Sequence, residues 1–151
     1  MLPLLLERVN IVLPQVKSDN LYATFTGFRL GAEGEVSCAM AASPPVLHWH
    51  AGDGSLSQTQ IPQFPLGLLP VASFEQHTLH TNPGDLLLVA TDGILEATDK
   101  SGDEFGLDRL IAIVAANCRE SLPHLADKIL LAARSFGPQL DDQTLLLIRC
   151  L

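Results

Sequence analysis

The chain has 151 residues, 47% of them hydrophobic and only 17% charged, and its nine basic against seventeen acidic side chains leave a formal charge of −8. That length and aliphatic content exclude a disordered or low-complexity chain and suit one domain able to bury a core. The acidic balance argues against a binder of nucleic-acid phosphates, no apolar run reaches the roughly 18–20 residues of a membrane span, and Leu2–Leu6 lacks the length and basic flank of a signal-peptide core. A single cytoplasmic domain over residues 1–151, with no nucleic-acid or membrane partner, is the expectation. Cys38, Cys118 and Cys150 are odd in number and far apart, which fits neither a disulfide framework nor a zinc spacing.

Leu4–Leu13 reads as a short helix between Pro3 and Pro14, with Leu5, Leu6, Val9 and Leu13 on its apolar face and Glu7, Arg8 and Asn10 between them. Ser18-Asp19-Asn20 is a turn cluster. Tyr22–Leu30 alternates as a strand, and Ala32-Glu33-Gly34 turns it into a second strand, Glu35–Ala42. Ser43-Pro44-Pro45 interrupts. Val46–His50 and Leu56–Ile61 flank Gly52-Asp53-Gly54, a strong hairpin signal. Phe64–Pro70 is a loop. Phe74–His80 and Leu86–Thr91 are expected to pair across the turn Asn82-Pro83-Gly84-Asp85, and the unbroken run Leu86–Ala90 predicts a strand buried on both faces. Leu107, Leu110, Ile111 and Val114 keep helical spacing to Asn117. Ser121 is placed to cap a second helix with Leu122, Leu125, Ile129 and Ala133 on its apolar face, ended by Gly137-Pro138. Leu145–Ile148 is a last strand. Hairpin-linked strands with helices grouped late predict an α+β fold with a mostly antiparallel sheet.

Two acidic stations stand where buried strands meet loops: Thr91-Asp92-Gly93 after one strand, and Asp141-Asp142-Gln143-Thr144 before the last. Carboxylates so placed can hold hard cations, because the strand fixes them while the loop admits water. They also suit local roles, Asp92 capping a helix from Ile94 and Asp142 closing an Asx turn; residue type alone leaves both readings open. The acidic stretch Glu96–Asp108 fails as a calcium loop, with Gly102 at its fourth place and Leu110 where the bidentate Glu belongs, and reads as a surface turn. His48 and His50 face one side of a strand but have no third ligand nearby in sequence, so they read as hairpin residues. His77, His80 and His124 show no ligand spacing. Cys38 and Cys150 read as small core hydrophobes, and Ser43 has no nucleophile elbow around it.

Seven segments in order carry a resemblance: Tyr22-Ala23-Thr24-Phe25; Ser43–Leu47 ahead of Asp53-Gly54; Phe64–Leu68; Pro83–Leu88; Thr91–Ala97; Glu104–Leu110; and Asp141–Leu145. In these the chain resembles the metal-dependent PPM protein serine/threonine phosphatases, specifically the SpoIIE-like bacterial branch that regulates sigma-factor switches. An unrelated β-sandwich would require all seven to coincide by chance. The resemblance implies two antiparallel sheets in a sandwich flanked by helices, and a site for Mn²⁺ or Mg²⁺ whose bound water attacks phosphoserine or phosphothreonine. It implies no catalytic side chain beyond that water. The metal carboxylates map onto Asp92 and Asp141, with Thr91, Gly93 and Asp142 supporting them without ligating. The implied partner is a phosphorylated regulatory protein of the anti-sigma-factor-antagonist kind.

The sequence departs from the family pattern in two places. The family's Gly-Asp motif, whose aspartate bridges two metals, lies on strands before a helix equivalent to Leu4–Leu13, and no acidic residue here precedes Glu7. Where the family shows Asn-Ala-Gly-His, this chain has Ala39-Met40-Ala41-Ala42-Ser43. The expectation is therefore an N-terminally incomplete domain with weak metal binding and sheet edges open to self-association. Two functions are carried forward: a phosphatase acting on a small regulatory protein, and a catalytically incomplete interaction module of the same fold.

Overall fold

The computed structural model describes residues 1–16 and 21–151, and the expected turn at Ser18–Asn20 lies outside them. The described residues form two compact units, one of 1–45 with 59–81 and the other of 46–58 with 82–151.

The first unit contains α1 (Leu2–Val16) and a sheet of β1 (Phe25–Leu30), β2 (Glu35–Ala41) and β5 (Gln76–His80) in the order β1-β2-β5. Both pairings are antiparallel, with Phe28 opposite Cys38 and Cys38 opposite His77. The turn between β1 and β2 falls where the sequence puts it, with Glu33 and Gly34 both at positive φ (53° and 77°). Ala42 also sits at positive φ (49°), a conformation that costs a side chain about 1–2 kcal/mol and that glycine adopts freely.

Helix α1 differs from expectation in both extent and face. It starts at Leu2 and runs through Pro14, whose missing N–H leaves one rung of the ladder unmade near the helix end. Its buried residues are Leu6 and Asn10, while Leu5 and Val9 are exposed. Leu6 packs with Ala39, Ala41, Leu66 and Phe74. Asn10 is buried because the loop after β4 needs it: its Nδ2 donates to the Leu69 carbonyl (3.0 Å) and its Oδ1 accepts from the Gly67 N–H (2.8 Å). Although Asn10 lies between the expected apolar positions, two backbone groups from 57 and 59 residues away turn it inward.

The second unit holds a four-stranded sheet in the order β4-β3-β6-β7, from β3 (Val46–Trp49), β4 (Leu56–Thr59), β6 (Leu86–Ala90) and β7 (Leu145–Arg149). Three helices belong with it: α2 (Asp92–Leu95), α3 (Gly106–Asn117) and α4 (Leu122–Phe136). The periodic residues Leu110, Val114, Leu125, Ile129 and Ala133 bury themselves against Leu47, Leu86, Leu88 and Ala90, and Leu87 is equally buried on the opposite face of β6. Ser121 stands at the N-cap of α4, though its side chain makes no capping hydrogen bond.

The expected pairing of Phe74–His80 with Leu86–Thr91 is corrected. β5 pairs with β2, whereas β6 pairs with β3 and β7, so Asn82–Asp85 carries the chain from one sheet into the other. The turn chemistry was read correctly, but a turn does not choose the partners of the strands it joins.

Asn10→Ala strands the part-buried Gly67 N–H and Leu69 carbonyl, and is expected to cost about 1–3 kcal/mol in urea denaturation.

Candidate functional site

Strand β6 delivers Asp92 and strand β7 is preceded by Asp141. The two strands pair antiparallel, with Ala90 opposite Leu145, so the exit of one adjoins the entrance of the other. Thr91 continues the pairing beyond the strands. Its N–H donates to the Thr144 carbonyl (3.0 Å) and its Oγ1 accepts from the Thr144 N–H (2.9 Å). The Gln143 side chain donates to the Gly93 carbonyl (3.1 Å) and is itself held by Arg134 Nε (3.1 Å).

Gly93 is buried against the backbone of Asp141 and Asp142, where a methyl group would overlap the Asp142 carbonyl oxygen. Its φ is not among the positive ones, so glycine is needed here for close approach and not for a left-handed backbone turn. Asp92 occupies the first turn of α2 after Thr91 at the N-cap position, which replaces the expected cap by Asp92 of a helix from Ile94.

Each of the two carboxylates uses Oδ1 locally: Asp92 accepts from the Gly93 N–H (3.0 Å) and Asp141 from the Asp142 N–H (2.7 Å). Both side chains are exposed, and among the described residues neither is ion-paired. A cavity of about 260 Å³ beside them is lined by Gly93, Glu96, Thr98, Glu104 and Asp141. Oxygen donors that are not ion-paired suit Mg²⁺ or Mn²⁺. Among the described residues, no third His, Cys, Asp or Glu closes with Asp92 and Asp141 into a ligand group. The acidic loop is a turn closed on Asp99, whose Oδ1 accepts from Ser101 (2.7 Å) and Asp103 (3.1 Å).

A second polar cluster was not legible in the sequence. His48 and His50 meet Asp85, the residue that precedes β6, and potential ligand atoms of the three lie within 4.8 Å of one another. His48 Nε2 is 2.9 Å from Asp85 Oδ2 and His50 Nδ1 is 4.0 Å from it. Asp85 is fully buried and also accepts from the N–H groups of Ala51 (2.8 Å, Oδ1) and Asn82 (2.9 Å, Oδ2). Burial pushes its carboxyl up, but these two N–H donors, with His48, outweigh burial and hold it below its ordinary value. The i, i+2 histidines were the only sequence signal. Elsewhere, Cys38 is buried as read, whereas Cys150 is only partly so. Ser43 takes a hydrogen bond from Thr26 Oγ1 on its hydroxyl (2.5 Å) and one from Gln60 Nε2 on its carbonyl (3.0 Å).

Residues 2–151 match the family model described as Stage II sporulation protein E (SpoIIE). No curated protein matches the sequence. Among solved structures, the phosphatase domain of SpoIIE from Bacillus subtilis, presoaked with Mn, is 18% identical with a TM-score of 0.69 over 97% of this chain and 64% of that one. PppA, a regulatory component of the type VI secretion system in Pseudomonas aeruginosa, is 18% identical with a TM-score of 0.73, over 97% and 67%. The RsbU and RsbW domains of Rv1364c from Mycobacterium tuberculosis are 27% identical with a TM-score of 0.76, over 99% and 42%. The chain thus spans about two fifths to two thirds of the lengths of these structures, and its fold of helices and antiparallel sheets is that of PP2C-type phosphatase domains.

Gly93→Ala forces backbone, not a pliable side-chain tip, to move; the expected cost is about 1–3 kcal/mol, with amide shift changes concentrated at 141–144 in NMR spectra. Asp85→Asn, studied in EDTA at pH 7, is expected to lose about 2–3 kcal/mol of stability. Because the folded carboxyl titrates below its ordinary 3.8, the wild-type advantage is complete above about pH 4 and fades as pH falls through the folded value. Urea midpoints measured from pH 7 to 2.5 should therefore converge at the acid end.

Proposed function

The chain belongs to the Stage II sporulation protein E (SpoIIE) family, the SpoIIE-like branch of the PPM phosphatases, and from that membership we propose a metal-dependent protein serine/threonine phosphatase site around Asp92 and Asp141. The observation that carries this reading is the seating of Gly93 on the Asp141–Asp142 backbone, which keeps the two acidic segments side by side. Asp92 and Asp141 would hold Mn²⁺ or Mg²⁺ through their carboxylate oxygens. When bound, such an ion lowers the pKa of its water and neutralises charge on phosphoryl oxygens. Thr91 and Gln143 orient the two segments through the bonds to Thr144 and Gly93, and Asp142 supports through its backbone. Glu96 and Glu104 add negative potential that favours a cation over an unaccompanied phosphate.

The substrate in this reading is a phosphoserine or phosphothreonine of a small cytoplasmic regulatory protein, of the anti-sigma-factor-antagonist kind. No helix among the described residues is long and apolar enough to cross a membrane. One observation favours the second reading, a non-catalytic interaction module: among the described residues no third carboxylate or histidine closes within ligand distance of Asp92 and Asp141, fewer ligands than a tight hard-cation site uses.

Hydrolysis of p-nitrophenyl phosphate with and without Mn²⁺ separates the two. The phosphatase reading expects Mn²⁺-stimulated turnover that falls to the metal-free background in Asp92→Ala and Asp141→Asn. Equal turnover in all three proteins would leave the interaction module standing.

A further inference from the structure

We propose that His48, His50 and Asp85 form a binding site for a divalent d-block ion of the Zn²⁺ class, separate from the Asp92 and Asp141 pair. The placement follows from the sheet. β3 pairs antiparallel with β6 with Trp49 opposite Leu86, so His48 and His50 share a face with Asp85, one step beyond the paired residues. The imidazoles approach each other with ring centroids 3.9 Å apart, and both turn a nitrogen toward the same carboxylate.

The donor set selects the ion. Two imidazoles and one carboxylate suit Zn²⁺, Ni²⁺ or Cu²⁺, whereas Mg²⁺ and Ca²⁺ prefer oxygen throughout. Around tetrahedral Zn²⁺ the ligand atoms lie about 3.3 Å apart, given bonds near 2.0 Å. The distances of 2.9 and 4.0 Å to Asp85 Oδ2 bracket that spacing. At 4.0 Å His50 Nδ1 makes no hydrogen bond to the carboxylate, but a small rotation of its ring closes the set. Ser57 Oγ engages the other ring nitrogen at 2.9 Å, and when Nε2 is the donor Nδ1 is left unprotonated toward Asp85. That is the outer partner a ligating histidine ordinarily has. Ligation by His48 requires the proton on its Nε2 to leave, and a neutral imidazole carries it at Nδ1 instead.

Access is also provided. His48 and Asp85 are buried, while the His50 side chain is about one-third exposed at 32%, so an ion can enter past His50 and keep a fourth position for water. The carboxylate is already anionic and anchored by the Ala51 and Asn82 N–H groups, so little reorganisation is asked of it. The competing account is a hydrogen-bonded lock of the β3–β4 hairpin that takes no ion.

Isothermal titration of the EDTA-stripped protein with Zn²⁺ distinguishes them. The expected result is one equivalent bound by the wild type and by Asp92→Ala alike, none bound at this site by His50→Gln, and about tenfold weaker binding by Ser57→Ala. Wild type without Zn²⁺ binding, or His50→Gln binding like wild type, overturns the proposal. A measurement on the unmutated protein stands beside it: saturating Zn²⁺ should shift the side-chain ¹⁵N resonances of His48 and His50, and unshifted resonances overturn the proposal equally. Retention by Asp92→Ala keeps this outcome independent of the phosphatase reading.

Discussion

The antiparallel pairing of β6 with β7 is the constraint on which the proposed site at Asp92 and Asp141 depends. Antiparallel strands put the exit of one beside the entrance of the other, so Asp92 and Asp141, nearly fifty residues apart, follow and precede partners in one ladder. Register is critical, because a slip of one residue turns every side chain to the opposite face. Thr91 and Thr144 extend the ladder past its formal end, and Gly93 lets the Asp142 carbonyl come closer than any side chain would allow. The acidic loops are therefore held by backbone, which leaves their carboxylates exposed.

Strand β6 carries an acid at each end, and the two are treated oppositely. Asp85 enters a fully buried position, where an uncompensated carboxylate would cost several kcal/mol. Two backbone N–H groups and His48 offset that cost and keep the group ionised. Asp92 stays in water and spends one oxygen on its neighbour's N–H. Its donors thus make the buried Asp85 a fixed anion beside the β3–β4 hairpin, while exposure leaves Asp92 able to take an ion from solvent.

The two units are stabilised differently. In the second, α3 and α4 lay continuous aliphatic stripes on β3 and β6, and the apolar burial is large and non-directional. In the first, α1 relies on one buried leucine and one buried asparagine, so directional hydrogen bonds to the 67–69 loop fix its rotation. Six of its aliphatic side chains, Leu4, Leu5, Val9, Ile11, Val12 and Val16, are exposed. Hydrophobic period alone therefore described α4 well and α1 poorly.

By itself the sequence determined whatever is local. The 3.6-residue stripes of α3 and α4, the Glu33-Gly34 and Asp53-Gly54 turns and the run Leu86–Ala90, buried except at the partly buried Val89, are set by residues a few places apart, and each was legible. The ordered motifs determined kinship, and with it Asp92 and Asp141 as the pair to examine. Tertiary structure decided which strands pair, sending β5 and β6 into different sheets despite the good turn between them. It also decided that Asn10 faces inward and that Asp85 meets His48 and His50. These depend on groups tens of residues away, because hydrogen bonds and desolvation act through space, and sequence separation carries no measure of that distance.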